Sequence, residues 1–242
     1  MFDHYPKTRP PLPEEYSSIY LRHYVSNRRG GTPATALSHR LEKWMHKQVA
    51  ADVSRPPDTR KVTLELGAGI LNHLRYEPAV RTYDIVEPSP GFYVKSPVLG
   101  RLRNIYADIS EVPSANRYDR IISVAALEHI CNLPGLVARC GLLLTETGVF
   151  RAAIPGEGTW LWTLGWKLTT GIEFRLRHGL DYGVLMKHEH VNTAKEIEQV
   201  LAYFFSKVRW KVLGLSRSVS FYRFYECHQP LKDRCESYLG LT

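Results

Sequence analysis

Apolar positions recur with two different periods along this chain. Tyr16, Tyr20 and Tyr24 stand four apart, which places three phenols on one face of a short helix. Leu37, Leu41, Trp44, Met45 and Val49 follow helical spacing and predict an amphipathic helix over 35–51. Arg28-Arg29-Gly30-Gly31 breaks the chain before that helix, and the Pro56-Pro57 pair within 54–58 reads as a linker after it. From residue 61 the texture changes. Short apolar runs at 61–66, 82–87, 103–106, 120–124 and 148–154 are separated by helical or loop segments. Strands alternating with crossovers predict βαβ units and a parallel sheet.

Residues 155–192 interrupt this rhythm with Trp160, Trp162, Trp166 and several glycines, and read as an insertion covering the sheet edge. Thr193 and Glu196 have capping-box spacing at the head of a helix striped by Ala194, Ile197, Val200, Leu201 and Phe204. Two strand-like runs, 207–213 and 219–227, then predict a closing antiparallel hairpin. The domain organisation expected is a helical cap over 1–58, a ligand-binding α/β domain over 59–228 with a substrate-side insertion at 155–192, and a tail over 229–242.

Composition narrows the class. The chain has 242 residues, 44% of them hydrophobic and 23% charged, which are globular values. No run approaches the ~18 apolar residues of a spanning helix, and the first residues lack a signal-peptide core. A cytoplasmic location is expected. Cys131, Cys140, Cys227 and Cys235 form no Cys-x-x-Cys pair, so buried thiols are expected and neither disulfides nor zinc. The net charge of +8 lies in the flanks, with 10 Lys/Arg against 6 Asp/Glu in 1–60 and 12 against 8 in 161–242, while 61–160 balances at 10 against 10. Such a surface attracts anionic partners, so nucleic acid stays open as a partner beside a small-molecule acceptor.

The most specific local signal is Glu65-Leu66-Gly67-Ala68-Gly69 directly after a strand. Glycines there let the backbone turn sharply and approach a ligand, and the helix expected to follow offers free N–H groups. Glu87 ends the next strand at the spacing from which a carboxylate accepts from ribose hydroxyls. A dinucleotide site wants a third glycine where Asn72 stands. Glu65 would repel a pyrophosphate but suits a cationic amino-acid tail, which favours S-adenosyl-L-methionine.

On these residues the chain resembles the class I S-adenosylmethionine-dependent methyltransferases. Glu65–Gly69 is similar to their first motif, Glu87 to the ribose-binding acid, and Tyr106-Ala107-Asp108-Ile109 to the adenine-binding segment. The stretch 118–124, with Leu127-Glu128-His129-Ile130 after it, resembles their fourth strand and turn. Phe221–Tyr225 resembles their antiparallel seventh strand. The resemblance implies a doubly wound, seven-stranded Rossmann-like sheet, mostly parallel with an antiparallel last strand. It implies cofactor contacts from Glu65, Gly67, Ala68, Gly69, Glu87, Pro88, Asp108, Ile109 and Ala125. Leu71 departs from the pattern, because many members have a third glycine there. The overall look is that of bacterial methyltransferases of surface-polysaccharide or secondary-metabolite pathways.

Methyl transfer from a sulfonium is an in-line displacement, so alignment and exclusion of water dominate, and a general base is needed only for a protonated acceptor. His188 and His190, in Lys187-His188-Glu189-His190, are candidates to take that proton. Glu157, just past the fifth strand, and His129, after the fourth, are further candidates at the ligand edge. The His-x-His pair lacks an evident third ligand, so no metal site is expected. Asp/Asn-Pro-Pro-Tyr and Pro-Cys motifs are both missing, which argues against base methylation of DNA. RNA as acceptor, a non-catalytic binding module and a reductase using Tyr203 and Lys207 are the rival readings.

Overall fold

The computed structural model describes residues 2–19, 33–54, 56–78 and 82–241, with backbone alone over 33–40. Tyr20, Tyr24 and Arg28 lie outside the described residues. Strands β1 (Thr63–Leu66), β2 (Tyr83–Val86), β3 (Asn104–Tyr106), β4 (Tyr118–Val124), β5 (Leu144–Pro155), β6 (Phe205–Ser216) and β7 (Val219–Pro230) form one sheet in the order β3-β2-β1-β4-β5-β7-β6. The first five pair in parallel and β7 runs antiparallel between β5 and β6. The seven-stranded Rossmann-like expectation is therefore met, including the reversed last strand. All four residues of β1 and of β2 are buried, Glu65 and Asp84 included, as central strands covered on both faces require.

Helix α1 (Pro33–Val49) packs Met45 and Val49 onto one face, in a cluster with Leu74, Tyr83, Ile85, Ile122 and Phe224. Helices α2 (Leu133–Leu143) and α6 (Ala194–Phe204) cover the other, where Val137, Leu143, Ile197, Leu201 and Phe204 meet Ile121 and Phe150. The Thr193–Glu196 capping box forms, and the α6 stripe is buried as its period predicts. The helix α7 (Lys232–Leu239) follows β7. Of the thiols, Cys140, Cys227 and Cys235 are buried and all four are free.

The insertion is helical over 160–178 and 182–189. Helix α3 (Trp160–Trp166) runs through a π-turn (Lys167–Gly171) into α4 (Ile172–His178), and α5 (Tyr182–Glu189) returns. Its inner side buries Phe174 and Leu185 against Tyr16. Of the tyrosine stripe, Tyr16 alone is described. It is a packing residue whose hydroxyl donates to the Asp181 carbonyl at 3.1 Å.

One feature beneath α1 is silent in any periodicity. Arg120, inside β4, is fully buried. It bonds Asp52 at 2.9 Å, Glu77 at 2.8 Å and the Val49 carbonyl at 3.3 Å. Glu77 also holds His73 at 3.0 Å. Burial pushes the Glu77 carboxyl up, but the His73 hydrogen bond and the Arg120 guanidinium outweigh it and hold the group at about 2. This network ties α1 and the turn after β1 to the sheet.

Candidate active site

The strand order reverses between β1 and β4, and in open α/β sheets the ligand crevice lies beyond the carboxyl ends at such a switch point. Both turns bordering that crevice are unusual. Gly67 has φ 67° and Gly69 φ 51°, and a Cβ on Gly67 would meet the Ala126 Cβ at 2.5 Å. Glycine is required there on both counts, because the turns after β1 and β4 touch at this point. Leu71 also lies in the left-handed region, at φ 62° and ψ 27°. The backbone therefore follows the path a third glycine would take, at a local cost of roughly 1–2 kcal/mol for a residue with a side chain. Ala125 is likewise left-handed, with φ 50°, and its N–H bonds the Ala153 carbonyl at 2.8 Å.

Glu87 lies 6% exposed at the end of β2. Its carboxylate accepts from the Gly69 N–H at 2.8 Å and the Ser89 N–H at 3.0 Å. It thus shapes the glycine turn, and each oxygen keeps acceptor capacity for a diol. Pro88 follows it on the exposed rim and Ala68 is buried within the turn. Glu65 sits differently from a solvent-facing ion-pair partner. Its carboxyl is 2% exposed and accepts from the Tyr83 hydroxyl at 2.9 Å. Burial raises it to about 7, against the pull of His73 and Tyr83. Asp108 caps the turn Ile109–Glu111, accepting from the Ser110 N–H at 2.8 Å and hydroxyl at 2.6 Å. Ile109 is buried beside that cap.

A second cluster forms at the same edge, beyond β4 and β5. The His190 Nδ1 bonds the Glu157 Oε2 at 2.6 Å, and the Trp162 indole N–H donates to the same oxygen at 2.7 Å. The carboxylate accepts, so Nδ1 carries the proton and the Nε2 lone pair is the basic one. His129 stands edge-on to His190, with centroids 4.9 Å apart, and bonds the Glu189 carbonyl at 2.9 Å through Nδ1. Burial pulls His190 down, but the Glu157 hydrogen bond and the charges of Glu128 and Glu189 outweigh it, leaving the imidazole raised above its ordinary value.

Segments distant in sequence are locked to make this cluster. The N–H groups of Val191 and Asn192 donate to the Glu128 carbonyl at 2.9 and 3.0 Å. The Asn192 amide donates to the Leu127 and Ile130 carbonyls at 2.9 and 2.7 Å. Arg9 reaches the His129 and His188 carbonyls, each at 2.9 Å.

His188, in contrast, is directed away. Its Nδ1 lies 2.7 Å from the Pro10 carbonyl. The third member beside His129 and His190 is Glu128, which is 1% exposed. One ligand atom from each of these three lies within 4.8 Å of the others, an arrangement that fits a cation. Glu128 was not among the expected site residues. Its place between an apolar strand and His129 was the available signal, but nothing local links it to residue 190. Tyr203 is unrelated to this edge, since it packs edge-on against Phe2 with centroids 5.2 Å apart.

No protein-family model matches the sequence, and no curated protein matches it. Solved structures do. The plantazolicin methyltransferase BpumL, in complex with a pentazolic desmethylPZN analog and S-adenosylhomocysteine (SAH), superposes with TM-score 0.59 at 16% identity, over 88% of this chain and 93% of that one. Magnesium protoporphyrin IX methyltransferase (ChlM) from Synechocystis PCC 6803, with bound SAH, gives 0.58 at 12%, over 88% and 95%. The N-methyltransferase NodS from Bradyrhizobium japonicum WM9, in complex with SAH, gives 0.57 at 13%, over 90% and 100%. The CurJ carbon methyltransferase is matched over 61% of its own length. The chain thus has the Rossmann-like fold of the class I S-adenosylmethionine-dependent methyltransferases. Among the described residues no helix is long and apolar enough to cross a membrane.

Proposed function

We propose that the protein transfers a methyl group from S-adenosyl-L-methionine to an oxygen or nitrogen of a small molecule, with a sugar or polysaccharide precursor as the acceptor class. The observation that carries this reading is the His190–Glu157 pair, 2.6 Å apart, at the same sheet edge as the Gly69–Glu87 contact at 2.8 Å. The adenosyl end lies along the glycine turn, with Glu87 on the ribose hydroxyls and Pro88, Ala125 and Ile109 beside the nucleoside. Asp108 faces the adenine amino group from its capping position. The methionyl end points toward Glu65, whose ionised form pairs with the ammonium.

The acceptor enters from the β4–β5 side, between His129, His190 and the insertion. His190 takes the acceptor proton on Nε2, and Glu157 stabilises the imidazolium that results. His129 orients the acceptor beside it, and Arg9 holds the backbone carbonyls of both His129 and His188. Trp162, stacked near His190 with centroids 6.4 Å apart, supplies an apolar wall suited to a sugar ring or planar acceptor.

The test is labelled methyl transfer from S-adenosyl-L-methionine into a panel of hydroxyl and amine acceptors, nucleotide sugars included. His190→Phe should lower the labelling rate by about 10²–10⁴ while cofactor affinity stays unchanged. Full binding of the cofactor with no labelling of any acceptor by the wild type would instead support a non-catalytic binding module. Label appearing in RNA would support the rival acceptor that the basic flanks suggest.

A second reading has its own observation, the Glu128, His129 and His190 cluster. A divalent cation held there would acidify an acceptor hydroxyl and leave His190 a ligand, not a base. Loss of transfer after chelation, restored by Mn²⁺ or Zn²⁺, would select it over the metal-free base.

A further inference from the structure

The helical insertion has a second face that the proposed chemistry does not use. Along α3, the π-turn and α4, Trp160 is 60% exposed, Leu164 43%, Leu168 60%, Ile172 48% and Leu176 83%. They stand four apart. In a regular α-helix such a row drifts by about 40° per step and would wind around the barrel. The wider π-turn between Lys167 and Gly171 takes fewer degrees per residue and draws the drift back, so the row keeps to the outer face.

The other exposed residues of this stretch, Lys167, Arg175 and Arg177, are all basic. Its one acid, Glu173, is half-buried and paired with Arg177 at 3.1 Å. Large apolar side chains in a row, flanked by cations and by no exposed acid, match a helix lying in the headgroup region of an anionic bilayer. The inner side of the same helix carries Trp162, which donates to Glu157 in the candidate active site. A bilayer on the outer face would therefore lie one helix diameter from the acceptor crevice, about 10 Å.

We propose that residues 160–178 form a peripheral membrane-binding surface for anionic phospholipid, seating the protein where an acceptor carried on a lipid can reach the crevice. The partner is argued from charge complementarity: the exposed polar groups are cationic, and a phosphatidylglycerol surface is anionic.

The test is co-sedimentation of the full chain with vesicles of phosphatidylcholine alone or mixed with phosphatidylglycerol, at physiological salt. Binding to the mixed vesicles alone is expected. Leu164→Gln with Leu168→Gln should lower the partition coefficient at least about tenfold, because the insertion of apolar surface is lost. Lys167→Gln with Arg175→Gln should lower it roughly fivefold per charge and flatten its salt dependence.

The substituted side chains are exposed, so thermal unfolding and S-adenosyl-L-methionine affinity should both be unchanged. Those two readouts separate failure here from failure of the methyltransferase reading. Equal binding to both vesicle types, no binding to either, or binding unaltered in the leucine variant would overturn the proposal. So would lipid-independent dimerisation in light scattering that Leu168→Gln abolishes, since the row would then be a contact between two copies of this chain.

Discussion

The two halves of the crevice are built in different ways. The β1–β2 side comes from short contiguous pieces: Glu65 to Gly69, with Glu87 one crossover later. The β4–β5 side joins Glu128 and His129 to Glu157, Trp162 and His190, residues far apart in the chain. The first half depends on backbone geometry, with two left-handed glycines and one left-handed leucine. The second depends on side chains held by buried hydrogen bonds, such as those of Asn192. A glycine turn can thus be recognised from a few residues, whereas an acid–base pair assembled across the fold cannot.

That contrast can be broken most forcefully on the acceptor side. His190→Phe should lower kcat by about 10²–10⁴, the usual contribution of a positioned base, with S-adenosyl-L-methionine affinity in calorimetry unchanged. A matching loss of cofactor affinity would mean that the halves are not separable. Next comes the point where they meet. Gly67→Ala should lower the unfolding free energy by about 2–4 kcal/mol in urea denaturation, since its Cβ lies 2.5 Å from that of Ala126 and its φ is 67°. Adding Ala126→Gly should recover the steric part and leave the backbone strain.

On the cofactor side, Glu87→Ala should weaken S-adenosyl-L-methionine binding by about 1–3 kcal/mol, because the proposed ribose acceptor and the partner of the Gly69 N–H are both lost. Catalysis at saturating cofactor should change much less.

The smallest effects are in pH. Burial raises the Glu65 carboxyl to about 7, so its ionised fraction grows between pH 6 and 8. Affinity for the cationic cofactor should rise several-fold over that interval, and Glu65→Gln should remove the dependence. On the acceptor side His190 is raised above 6.5, and as the proposed base it must be neutral to act. The acidic limb of kcat/KM should therefore lie above that value, with transfer increasing as pH rises through it. Glu157→Gln should move the limb down. For stability, Glu77 is lowered to about 2, so its contribution is complete above its ordinary 4.5 and is lost as pH falls toward 2.

The sequence by itself determined the alternation of strands and crossovers, the capped α6 and its buried stripe, the glycine turn and the acid that closes it. These are local matters of period, cap and backbone freedom, each carried by neighbouring residues. It also marked His129 and Glu157, since ionisable groups just past strand ends fall at the ligand edge, and His188 with His190, as titratable groups in the insertion ahead of α6. Tertiary structure alone decided which of them meet. His188 and His190 are two residues apart, yet one turns to the Pro10 carbonyl and the other to Glu157. Likewise Glu128 joins the cluster only because the Asn192 amide fastens the two segments together, and Arg120 is buried only because Asp52 and Glu77 arrive from other elements to pair with it. Pairing energies between distant charged and polar groups depend on distance and burial, and those quantities exist only once the chain has folded.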